Sequence, residues 1–173
     1  MYDSTVPVLA RYLAQVSRML QLAQAHADGH QLDHSHLLQA RLAPDMLPLA
    51  VQVTIATNFV FRICAPLCGQ NTPPPAEAGS SFADLQARLA TTQAYLASLS
   101  PQQMQGSAQR MCTSHAGQAL VSLPAPTFVS QYALPNFFFH TSMVYAILRH
   151  AGVPLGKADF DGWHVYGAGQ IGP

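Results

Sequence analysis

The sequence predicts an all-α protein: an antiparallel four-helix bundle with a small β-hairpin between the third and fourth helices. Two observations carry the prediction. Two long segments place apolar residues at the period of a helix with one buried face, and two more are uncharged, mainly apolar runs that read as core helices. Each is closed off by proline, glycine or capping residues, and the one pair of short strand-like runs lies between the third segment and the fourth. A length of 173 residues allows one such domain.

The first helix opens at Ser4 or Thr5, each a candidate N-cap, with Pro7 in the first turn. Its stripe is Val6, Leu9, Leu13, Val16, Leu20 and Ala23, and it should end near His26 because Asp28-Gly29-His30 is turn chemistry. A histidine-rich connector, Asp33-His34-Ser35-His36, leads to a short helical piece at Leu37 to Leu42, and Pro44 then breaks the chain. The second helix is expected to start at Asp45, whose carboxylate suits the positive end of a helix, and to run from Leu47 to about Leu67. Its apolar content implies two buried faces. Gly69 to Pro75 is a breaker segment, and Ser81 with Asp84 forms a capping-box-like start to the third helix. That helix carries the stripe Phe82, Leu85, Leu89, Leu96 and Leu99 and stops at Ser100-Pro101. Met111 to His115 and Ala119 to Leu123 read as hairpin strands around Ala116-Gly117-Gln118. The fourth helix runs from about Thr127 to His150, closed by Gly152 and Pro154, and Pro135 inside it should kink it and free the Gln131 carbonyl. Residues 1–162 thus form the bundle and 163–173 a glycine-rich tail anchored only by Trp163, His164 and Tyr166.

Composition narrows the function. Charged residues are 9% and hydrophobic residues 49%, which excludes disorder. Eight basic residues balance eight acidic ones, and Lys157 is the only lysine, so there is no basic face for a nucleic acid. The uncharged runs Met46 to Phe61 and Phe128 to Leu148 contain Gln52, Asn58, Gln131, Asn136 and His140, and they read as core helices, with no membrane span. Three cysteines, Cys64, Cys68 and Cys112, and an N-terminus without a signal-peptide pattern point to the reducing cytoplasm. Zero net charge and a pI near 7.1 favour self-association, here expected as a homodimer.

Several clusters are candidates for chemistry. His26, His30, His34 and His36 are good metal-ligand types, but Gly29 interrupts the helix that would align the first two, so a solvated connector is expected. Cys64 and Cys68 lack a second pair and read as core thiols, and Asp159 and Asp161 read as a solvated turn. The run Leu134 to His140 is the most unusual: Asn136 and His140 lie one turn apart on one face of a greasy helix. Gln52 and Asn58 raise the same question in the second helix. Buried polar groups need partners, so these pairs form either a structural hydrogen-bond network or the lining of a pocket.

The run Arg41 to Leu49, Gln52-Val53, Leu134 to His140, and Tyr145 to Lys157 together resemble the DUF1993 family, within the DinB/YfiT-like metalloenzyme superfamily. The likeness covers Met1 to about Gly162. It implies a DinB-like four-helix bundle. Active relatives include thiol-dependent transferases, maleylpyruvate isomerase and damage-induced proteins, whose metal is held by one histidine on the second helix and a His-x3-His on the last. The resemblance aligns His140 with the second histidine of that pair, Asn136 with the first, and Gln52 with the second-helix ligand. Two of three ligand positions are then amides, so the Gln52, Asn136, His140 set should hold at most a weak divalent metal, and no other cofactor is implied.

The expected function is therefore a metal-free pocket for an apolar small molecule, lined by the second and fourth helices, with Gln52, Asn58, Tyr132, Asn136 and His140 as ligand-binding residues. If there is catalysis, His140 is the candidate general base. Asp45, two turns from Gln52 along one helical face, and Tyr145 are its candidate partners, with Tyr132. That alternative is a cofactor-independent isomerase, cyclase or dehydratase. A metal-dependent DinB-like transferase and a purely structural or partner-binding bundle are the other readings.

Overall fold

The computed structural model describes residues 1–164, so Tyr166 and most of the expected tail lie outside the described residues. It is a four-helix bundle whose long elements are α1 (Val6–Gly29), α3 (Leu49–Leu67), α4 (Phe82–Ala97) and a last helix built from α5 (Ala125–Thr127), a π-helical turn (Phe128–Ala133) and α6 (Leu134–His150). Two short helices, α2 (His34–Leu38) and α7 (Lys157–Asp161), fill out the connections. Strands β1 (Met111–Ala116) and β2 (Ala119–Pro124) form the expected antiparallel hairpin between α4 and the last helix. Gly117 opens its two-residue turn at φ +59 while Gln118 stays at negative φ, the pattern of turns with glycine at the first central position.

Every apolar position of the α1 stripe is buried, and the capping box at Ser81 and Asp84 is formed. The core also takes Ile63 and Leu67 of α3 and Phe128, Phe137 and Leu148 of the last helix. α3 has the length and composition of a membrane span, yet 67% of that stretch is buried inside the bundle, because α6 packs along one of its sides and α4 along another.

Four expectations are corrected. α1 continues to Gly29, because the left-handed residue that terminates it is Gln31 (φ +56) rather than Gly29. The second long helix starts after Pro48, not at Asp45. Pro48 has no N–H to bond backward and disfavours a helical Leu47, so its carbonyl opens the helix and residues 42–46 form bends and a turn. Pro135 produces a π-helical turn just before it: the Leu134 N–H reaches back five residues to the Val129 carbonyl. Finally, Asp161 is buried rather than solvated. It accepts the backbone N–H groups of Trp163 (2.8 Å) and His164 (3.1 Å) and the His164 ring, while Asp159 pairs with Arg18 at 3.4 Å and so ties α7 to α1.

Candidate functional site

α3 places Gln52, Ile55, Phe59 and Arg62 at steps of three, four and three, which is one face of a helix. The last helix places Tyr132, Asn136 and His140 at steps of four on the side that meets it. Between these faces and the hairpin turn lies a cavity of about 450 Å³, lined by Ile55, Phe59, Arg62, Tyr132, Asn136, His140 and the turn His115–Gly117. The His115 carbonyl binds the turn to both helices, accepting the Tyr132 hydroxyl (3.2 Å) and an Arg62 N–H (3.3 Å).

At the back of this cavity His140 Nδ1 meets Gln52 Oε1 at 2.7 Å, both side chains buried. The amide orientation follows from its other partner: Gln52 Nε2 donates to the Leu47 carbonyl (3.1 Å), so Oε1 is the acceptor and Nδ1 carries the proton. In the neutral ring Nε2 is then a lone-pair acceptor, and it has no protein partner among the described residues. The imidazole stacks on Phe59 (5.8 Å, 26°) and meets the edge of Phe139. Burial, reinforced by the positive charge of Arg62, pushes its pKa down to about 4. At neutral pH His140 is therefore uncharged, in the form suited to accepting a hydrogen bond, and it is a weak base for proton abstraction.

Of the two polar pairs expected on these helices, one bond crosses the bundle. Asn136 turns its amide N–H back to the Tyr132 carbonyl (2.7 Å), within the π-helical disruption, while still lining the cavity. Asn58 lies six residues from Gln52, about 240° around the helix, and lines a different cavity with Phe61 and Pro73. Tyr132 lines the main cavity, but its hydroxyl is engaged by the hairpin. Asp45 is exposed in the turn before α3, since the helix that would have carried it alongside Gln52 begins only after Pro48. Tyr145, five residues and so about 140° from His140, packs on Phe160 in a separate cavity with Ser142 and Lys157. The structure thus brings Gln52, Tyr132, Asn136 and His140 together and leaves Asn58, Asp45 and Tyr145 outside. Sequence reasoning missed Ile55, Phe59 and Arg62, although their spacing from Gln52 marks one helical face. It also missed the contribution of His115, for which no local signal exists.

The donors present do not fit a divalent metal. The set is two neutral amides and one imidazole, and Gln52 Oε1 is spent on His140 Nδ1, so only His140 Nε2 and the weak oxygen donor of Asn136 are left, fewer than the three protein ligands a divalent site needs. Among the described residues no group of three or more histidine, cysteine or carboxylate side chains is placed to hold a metal. The histidine connector does bring the His26 and His30 ring centroids to 4.2 Å, because α1 runs on to Gly29 with His30 as its C-cap. However, His30 Nδ1 is bonded to the His26 carbonyl and His34 Nε2 to Asp28. The Cys64 thiol is buried and its pKa raised by that burial, as befits a core thiol.

This helical bundle has the fold of a DinB family member. A crystal structure of a DinB family member protein from Shewanella denitrificans superposes with a TM-score of 0.86 at 32% identity, covering 96% of this chain and 94% of that one. More narrowly, the chain belongs to the family described as Domain of unknown function (DUF1993), which matches residues 1–161. A search of the curated proteins gave no match.

Proposed function

We propose that this protein binds a small, mainly apolar molecule carrying a hydrogen-bond donor, in the cavity between α3, the hairpin turn and the last helix, without a tightly held divalent metal. The Gln52–His140 pair is the observation that carries the reading. It fixes the imidazole tautomer that leaves Nε2 as the acceptor at the wall of a cavity whose volume falls in the range of about 300 to 1,000 Å³ common to small-molecule sites. Ile55 and Phe59 supply the apolar contact. The depressed His140 pKa favours binding over general-base catalysis. The reading includes a homodimer, supported by the exposed apolar side chains Met111, Leu120 and Phe139, and a cytoplasmic location, supported by the three free thiols.

The test is an NMR fragment screen on the wild type and on His140→Phe, which keeps an aromatic ring on Phe59 but removes the acceptor. Fragments bearing a donor should shift the His140 and Phe59 signals and bind about tenfold more weakly to the variant. If every fragment binds both proteins equally, the pocket assignment is wrong.

A further inference from the structure

Arg62 is the one side chain with a permanent charge on the cavity wall. It is half-buried, 5.0 Å over the Phe59 ring, and one of its N–H groups is used on the His115 carbonyl. No carboxylate lies within 4.0 Å of it among the described residues. A guanidinium has five N–H donors in a planar fork that matches a carboxylate, so most of this fork is unmatched by protein. The other ionisable side chains facing the cavity are His115, Tyr132 and the buried His140, and the lining includes no carboxylate. The cavity is therefore an open, cationic recess with Ile55 and Phe59 as its apolar contacts.

Resting on the pocket reading above, we propose that the ligand is an organic acid: its carboxylate seats on the Arg62 fork, its apolar body lies against Ile55 and Phe59, and a donor on that body reaches His140. Arg62 lies over the Phe59 ring at 5.0 Å and His140 stacks on it at 5.8 Å, so the two polar anchors adjoin the same aromatic side chain. Arg62 also lines the adjoining cavity of about 360 Å³ with Asn58, Phe61 and Pro73, which gives a longer acid room to extend past the hairpin.

The experiment titrates the full chain with matched acids and primary amides, 4-hydroxyphenylacetate against its amide and 3-phenyllactate against its amide, followed by NMR and calorimetry. In the wild type at least one acid should bind about tenfold more tightly than its amide, with the preference shrinking as salt is raised. Arg62→Gln should abolish the acid-over-amide preference, read as the ratio of the two affinities within each protein, and Arg62→Lys should restore part of it. If the acids and amides bind the wild type equally, the carboxylate assignment falls and the pocket reading stands. If neither class shifts His140 or Phe59, both fall.

Discussion

Acidification should destabilise this protein through one side chain more than any other histidine in it. His140 is buried and neutral, with its pKa at about 4 in the folded chain. The unfolded chain restores the ordinary 6.5. Between those values the unfolded state binds a proton that the folded state refuses, so the contribution is complete above 6.5 and is lost as pH falls toward 4. The gap corresponds to ~3 kcal/mol, of which ~2.5 kcal/mol should be expressed by about pH 4.5. Carboxylates held ionised, such as Asp84, lose stability in the same direction, so a reference variant is needed. His140→Phe supplies it: the ring still stacks on Phe59, and Gln52 Oε1 loses its donor at a cost of ~1 to 3 kcal/mol near neutrality. Urea denaturation followed by circular dichroism, from about pH 7.5 to 4.5, should show the wild type ahead at neutral pH and the difference closing by ~2.5 kcal/mol in acid. Parallel pH profiles for the two proteins would refute a neutral, buried His140.

Ser81→Ala should lower stability by ~1 kcal/mol in urea denaturation, because Ser81 Oγ accepts the Asp84 N–H (3.1 Å) at the start of α4, and Ser81→Asp should leave it nearly unchanged. Tag-free protein exposed to zinc or nickel and then dialysed should hold far less than one metal per chain by elemental mass spectrometry, whereas the double variant Gln52→His and Asn136→His, which with His140 offers three imidazoles, should retain one. Stoichiometric zinc in the wild type that disappears in His140→Ala would overturn the reading of the donor set.

Much of the fold was legible because its signals are local. Helical spacing marked the buried face of α1, Ser81 and Asp84 marked the start of α4, and Gly117 marked the hairpin turn. The misplaced boundaries were at prolines and a left-handed residue. A carboxylate at Asp45 looked like a helix start, but the backbone constraint of Pro48 outweighs it, and Gly29 stayed helical because Gln31 took the terminating conformation. Of the site, Gln52, Tyr132, Asn136 and His140 were legible as polar residues in apolar helices that must find partners. Asn58 met the same criterion, and only the helix phase sends it to another cavity.

The sequence by itself determined the helices and their buried faces, since both depend on residue type and on spacing within one element. Only the tertiary structure decided that Gln52 bonds His140 across 88 residues of chain, that the His115 carbonyl draws the hairpin over the pocket, and that Arg62 faces the same space. Those outcomes depend on how separate elements dock. The same docking sets the burial that keeps His140 neutral, a property no local pattern encodes.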